Sequence, residues 1–267
     1  MGLMMDREEE FGADSADSGG VQAVEVGMEV LRVLVSAGRP VPLKMVTAAT
    51  GMQRAKVHRY LVSLVRCGLA LQEESTGYYG LGTFAVQLGL SALGTLDRDA
   101  LGRQAIRELR DTLNISACLS VWAEGPTVIA VEPAEATLFI GFRSGSRLSI
   151  TGSATGRVFM AYLPAKTWRN YLPRDESSKS IDLEALRRQV LKNRMAGVTD
   201  LVMTGMSGFA APVLDHTGAI CAALTLAGPT GTFDLSINGA TARALLKRAD
   251  ELSARLGNLM AKSSLRP

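Results

Sequence analysis

The sequence predicts two folded domains of different class, a mostly α-helical one followed by a larger α+β one. Three observations carry this. Between Val21 and Gly82 apolar residues recur at helical spacing and then give way to a hairpin signature. From Ser116 onward short β-rich runs, bounded by Gly, Pro and acids, are interleaved with helical ones. A chain of 267 residues, 47% apolar and 21% charged, is long enough to build more than one core.

The first domain reads in order. Val24, Met28, Leu31 and Val35 step by four, three and four, which is helical, and "AGRP" at 37–40 ends the run. A shorter helix, "LKMVTAATG", turns Val46 to the core, has Ala48 and Ala49 for close contact, and closes at Gly51. In "MQRAKVHRYLVSLVRCG" (52–68), Val57, Leu61, Leu64 and Val65 form an apolar stripe, Lys56, Arg59 and Arg66 project elsewhere, and Arg54 precedes the stripe. "LALQEESTGYYGLG" alternates at Leu69 and Leu71, turns at Ser75, Thr76 and Gly77, and returns through Tyr78 and Tyr79. Three helices and a hairpin, with a short second helix joined to a basic third, are the order of a winged helix-turn-helix.

This stretch, with "VHRYLVSL" followed by "GYYGLG", resembles the DNA-binding domain of the IclR family of bacterial transcription regulators. "GSRLSITGSATGRVFMAYLP" (145–164) and "GFAAPVLDHTGAICAALTLAGP" (208–229) resemble two stretches of that family's C-terminal effector domain, so the likeness runs from about Val21 to Leu259. It implies a GAF-like α+β fold for the second domain. The expected organisation is a disordered acidic tail over 1–20, the winged helix-turn-helix over 21–82, a helical linker and dimerisation segment over 83–113, and an effector-binding domain over 114–262.

Between those landmarks, Thr83 to Leu113 reads as two helices with a break near Gly94 and Thr95. "ACLSVWAEG", "TVIAVEPA" and "TLFIGF" read as strands, Ser153–Leu163 as a helix, and "DLEALRRQVLKNRMAG" as a helix closed by Gly197. "FAAPVLDHTGAICAALTLAG" reads as two strands joined through Asp215 to Gly218, and the last helix carries Leu245, Ala249, Leu252, Leu256 and Leu259.

A DNA-reading helix works through its N-terminal turns. Those positions hold Gln53, Arg54 and Lys56, with Arg59 one turn on; Gln suits adenine, Arg suits guanine, and Lys and Arg also bind phosphate. The family pattern has small hydroxylic residues near Ala55 and Lys56, and this chain departs from it, so which residue reads a base stays open. His58 is assigned to helix packing or a phosphate contact, and Ser75 and Thr76 of the wing to the DNA backbone or to a solvated turn.

"TGSATGR" leads into a helix, and a helix start rich in small residues exposes backbone N–H groups suited to a carboxylate; tight packing is the alternative. The resemblance places the effector pocket by this turn. It implies Ala154 and Thr155 on the turn, Gly208 at the following strand, and Thr225 and Ala227 near the end of "ALTLAG" as matching positions. Leu148, Ile150, Val202 and Met203 are candidate walls, and Asp200 is the one acid kept where the family commonly has an acidic run. The expected ligand is an organic acid with an apolar or aromatic body.

Other classes find less support. The two histidines, His58 and His216, sit in a basic helix and a hairpin turn, so no catalytic triad, Cys-His pair or metal site can be assembled, and neither cofactor nor metal is expected. Cys118 and Cys221 fall in apolar strand patterns as inert thiols, and "GSATGR" lacks the Lys-Ser/Thr of a phosphate loop. An enzyme on the sensor fold and an adaptor using the winged helix for protein contacts are the alternatives. Three scattered cysteines and the absence of a signal-peptide pattern point to the cytoplasm, and no run is long enough to span a membrane. Residues 1–20 carry a net charge of −5; removing it from the overall +3 leaves +8 on the rest. The expected protein is a homodimeric or tetrameric regulator, a repressor rather than an activator, on a near-palindromic operator.

Overall fold

The computed structural model describes residues 20–95, 97–134, 143–172, 182–200 and 204–258. The acidic tail through residue 19, the strand expected over "TLFIGF", Val202, Met203 and Leu259 lie outside the described residues. The chain forms two compact units that divide between Leu96 and Asp97, and each has its own core.

The first unit runs α1 (Gln22–Ala37), α2 (Leu43–Thr50), α3 (Arg54–Arg66), β1 (Ala70–Gln72), β2 (Tyr79–Leu81) and α4 (Thr83–Thr95). Its core gathers Val30, Leu31 and Leu34 of α1, Val46 of α2, Val57, Leu61 and Leu64 of α3, and Ala70 and Tyr79 of the hairpin. Strands β1 and β2 pair antiparallel, Ala70 opposite Leu81 and Gln72 opposite Tyr79.

Two apolar stripes differ from those that their spacing suggests. The α1 side that faces inward is Gly27, Val30, Leu31 and Leu34, whereas Val24, Met28 and Val35 are exposed. Helix α1 is apolar on more than one side, so spacing alone fits either stripe. Packing against α2 and α3 selects the side that carries Gly27, beside which the Tyr60 ring lies. Val65 of α3 and Leu71 of β1 are likewise exposed, at the edge of the core.

The second unit runs α5 (Arg98–Leu113), β3 (Ser116–Trp122), β4 (Pro126–Glu132), α6 (Ala154–Tyr162), α7 (Ala165–Trp168), α8 (Leu183–Asn193), β5 (Ala196–Thr199), β6 (Met206–Leu214), β7 (Ile220–Pro229) and α9 (Ala240–Arg255). The strands form one antiparallel sheet in the order β4-β3-β7-β6-β5. Because side chains alternate across a pleated sheet, each strand contributes to two layers. Leu119, Phe209, Ala211, Val213, Leu224 and Leu226 point to one face, where α5 and α9 bring Ile106, Leu109, Leu245 and Leu252 onto them. Cys118, Ala210, Ala223 and Thr225 point to the other, which is covered by α6 with α8 packed against it.

The helix expected to close at Gly197 ends earlier. Helix α8 stops at Asn193, and Arg194 takes the left-handed conformation (φ 55°) while its guanidinium pairs with Asp250 of α9. Gly197 belongs to β5 opposite Phe209, whose ring occupies the space a side chain would need.

Candidate operator and effector sites

Helix α2 ends at Gly51, whose left-handed φ of 66° reverses the chain, and Gln53 in extended conformation starts α3. The Gln53 side chain makes no capping bond. Gln53, Arg54, His58 and Arg59 are exposed and Lys56 is half-buried, on a helix that contains no acid. The exposure of His58 removes its packing alternative. Lys56, Arg59, Tyr60 and Ser63 line one shallow surface depression, so the structure adds Tyr60 and Ser63 to the candidates. Their spacing of four and seven from Lys56 was the available signal.

At the wing tip Ser75 is exposed. The Thr76 hydroxyl donates to Glu73 Oε2 (2.8 Å) and accepts from the Tyr78 N–H (3.1 Å), which fixes the turn between β1 and β2.

In the second unit a cleft lies between the sheet and the start of α6. Strand register builds its floor: Cys118 pairs with Thr225, Ala227 with Gly208, and Gly208 with Val198, all on the α6 face. Val128 and Leu148 close one side, Met206 and Ser207 the other, and Ser153, Ala154 and Thr155 form the roof. About 470 Å³ of space lies between these atoms, the open mouth included.

The helix start is held from below. The Ser153 hydroxyl accepts from the Gly156 N–H (2.8 Å) and donates to the Ser149 carbonyl (2.6 Å). Gly156 lies so close to this turn that a Cβ would stand 2.1 Å from the Ser149 oxygen. The first N–H groups of a helix have no intrahelical partner, so those of Ala154 and Thr155 are the donors nearest the cleft. Thr155 and Thr225 join hydroxyls at 2.8 Å, both buried. Burial pushes the Cys118 thiol up to about 12, so it is neutral at physiological pH. Among the described lining residues none is charged.

Leu148, Ala154, Thr155, Gly208, Thr225 and Ala227 thus meet at one cleft. Ile150 does not: it packs with Met160 and Trp168 in a separate cluster. Asp200 does not either. It is exposed, with φ 58°, and its carboxylate accepts from the Gly205 N–H (2.6 Å) and the Thr230 hydroxyl (3.3 Å), which ties the turn between β5 and β6. Cys118, Val128, Ser153, Val198, Met206 and Ser207 are lining residues that sequence reasoning missed.

No helix among the described residues is long and apolar enough to cross a membrane, and no three of their His, Cys, Asp or Glu side chains are grouped to hold a metal.

Residues 23–74 match the sequence model of the IclR helix-turn-helix domain, and residues 94–254, more than half of the chain, match that of the bacterial transcriptional regulator IclR C-terminal domain. The HTH-type transcriptional regulator BhcR of Paracoccus denitrificans is 26% identical over 91% of this chain and 90% of its own. The HTH-type transcriptional repressor AllR of Klebsiella pneumoniae is 23% identical over 79% of this chain and 80% of its own. The crystal structure of Pseudomonas aeruginosa HmgR superposes with a TM-score of 0.78 at 34% identity, covering 90% of this chain and 99% of that one.

Proposed function

Because the chain belongs to the IclR family of transcription regulators, we propose that it acts as a homodimeric or tetrameric repressor whose grip on a near-palindromic operator is set by a small organic acid. That it is a DNA-binding transcription regulator follows from the family. The operator face assigned to it is that of α3, with Gln53, Arg54, Lys56, His58 and Arg59 entering the major groove and Ser75 and Thr76 of the wing near the backbone. The observation that carries this is that α3, which holds no acid, exposes Arg54, His58 and Arg59 and half-exposes Lys56 while Val57, Leu61 and Leu64 are buried. Repression is favoured by the likeness to AllR, itself a transcriptional repressor.

Oligomerisation is supported by apolar surface on the first unit. Phe84, Val86, Leu88 and Leu90 of α4 and Val24 and Met28 of α1 are all exposed, Leu90 to 64%. A run of that kind on a helix is normally covered by a partner, and two reading heads on one operator explain a near-palindrome.

The ligand reading rests on the cleft under α6, where N–H donors and the hydroxyls of Ser153, Thr155, Ser207 and Thr225 meet walls that carry no charge. A carboxylate at the helix start with an apolar or aromatic body below it fits that distribution.

The Arg54→Ala, Arg59→Ala double variant is the test. Operator affinity is expected to fall by about 1–3 kcal/mol for each side chain that reads a base, and the slope of log K against log salt to drop by about 0.9 for each phosphate no longer neutralised. An unchanged affinity and slope in a folded variant refute the α3 assignment, and a monomer at DNA-saturating concentration refutes the paired heads.

A further inference from the structure

Arg157 ends the motif "TGSATGR" and serves no part of the effector cleft. It lines a second cleft, between α8 and β5, whose walls share no residue with the first. Its guanidinium is half-buried. Nε donates to the Thr151 carbonyl (2.7 Å) and Nη1 to the Gly197 carbonyl (3.4 Å), which among the described residues leaves three of its five N–H donors. Among the described residues no Asp or Glu pairs with it or lines this cleft, whereas Gln189 and Asn193 of α8 do line it. Burial draws the guanidinium pKa below its ordinary value, the direction expected of a cation taken from water without a counter-charge.

A cation partly removed from water without an opposite charge bears part of its desolvation cost uncompensated. Two backbone carbonyls offset part of that cost, and an oxyanion would offset the rest. Guanidinium is the side chain best shaped for it, since its planar fork meets carboxylate or phosphate through two parallel bonds. The amides of Gln189 and Asn193 supply neutral donors that suit the remaining oxygens.

We propose that the cleft between α8 and β5 is a second small-molecule site, one that takes the oxyanion group of a metabolite, carboxylate or phosphate, against Arg157. Its occupation reaches the effector cleft through the same guanidinium. Arg157 holds the carbonyl of Thr151, two residues before the Ser153 cap of α6, and that of Gly197, whose neighbour Val198 lines the effector cleft.

The test is thermal unfolding of the full-length protein in inorganic phosphate or in acetate, each against chloride at equal ionic strength. At least one oxyanion is expected to raise the melting temperature of the native protein; phosphate alone points to a phosphorylated metabolite, and acetate, alone or with phosphate, to a carboxylic acid. Two variants locate the effect. Arg157→Gln removes the counter-charge. Gln189→Glu changes an exposed α8 residue, fills the cleft with the protein's own carboxylate, and keeps the test decisive should Arg157→Gln fail to fold. In each folded variant the anion is expected to bind on the order of tenfold more weakly or not at all, as the loss of hydrogen bonds to a charged group implies. No oxyanion-specific rise in the native protein overturns the proposal. So does a rise retained in Gln189→Glu, because the anion then sits elsewhere, on the basic face of α3 for example.

Discussion

The buried hydroxyl pair of Thr155 and Thr225 is open to a clean perturbation. Valine matches threonine in shape, so Thr225→Val removes a hydroxyl without opening a cavity and leaves the Thr155 hydroxyl with its 2.8 Å partner gone. Thr155 is 1% exposed, so water cannot readily replace the missing partner. A buried polar group left in that state costs about 1–3 kcal/mol, whereas replacing both partners by apolar groups of the same shape is close to neutral. Each single variant is therefore expected to lose about 1–3 kcal/mol in urea unfolding, and the double variant Thr155→Val, Thr225→Val to lie within about 1 kcal/mol of the native protein. The corresponding coupling falls in the range of about 0.5–3 kcal/mol seen for residues that touch. In a thermal melt the singles should drop by about 2–4 °C for each kcal/mol of destabilisation. Because the pair lines the cleft proposed for the effector, the double variant should remain folded and bind operator while responding more weakly to an effector whose oxygen meets these hydroxyls. A Thr225→Val protein as stable as the native one, or a double variant as unstable as the sum of the singles, refutes the reasoning.

Three further outcomes follow from the same geometry. Of the three cysteines only Cys67 is exposed; with Cys118 pushed to about 12 and Cys221 to about 11 by burial, a thiol reagent at pH 7.5 should label one cysteine rapidly in the native protein and three in urea, and two fast thiols would contradict this. Burial acts to raise the Asp215 carboxyl, but hydrogen bonds from the Thr217 hydroxyl and the N–H groups of Thr217 and Ala219 outweigh it and hold it below its ordinary value. A group whose folded pKa is depressed stabilises above its unfolded pKa, about 3.9, and that contribution fades as pH falls through the folded value, so the melting gap between native and Asp215→Asn protein should be full at pH 7 and shrink in acid; a constant gap refutes it. Gly156→Ala would set a Cβ 2.1 Å from the Ser149 oxygen and should destabilise by more than about 2 kcal/mol, whereas Gly89→Ala in α4, with nothing within 4 Å, should be neutral or stabilising by about 0.5–1 kcal/mol, as calorimetry can check.

How much of this was legible in the sequence depended on how local the cause was. The helices of the first unit and the basic row of α3 are set by neighbours three and four residues apart, and a linear pattern displays them. The inward side of α1 was not displayed, because Val24, Met28 and Val35 are as apolar as Val30 and Leu34, and only packing distinguishes them. Strand β5 was hidden for a similar reason: its four residues follow α8 directly, and the reversal between them is made by Arg194, whose left-handed backbone is accompanied by an ion pair to a helix more than fifty positions on.

The cleft proposed to take the effector is the least local feature, and its composition is decided on the far side of the sheet. Cys118, Gly208, Thr225 and Ala227 reach it because they alternate with Leu119, Phe209, Leu224 and Leu226, which α5 and α9 bury. A slip of one residue in β7 would exchange the two sets, sending Leu224 and Leu226 into the cleft and a threonine into the core. Burying those two leucines is worth about 1.5–3 kcal/mol each, and a misplaced hydroxyl adds a penalty of similar size. The same energy that holds α5 and α9 on the sheet thus selects which atoms face the cleft under α6. A mutation at Leu224 should accordingly alter effector response without touching the cleft, while its conservative exchange for isoleucine should leave the response intact.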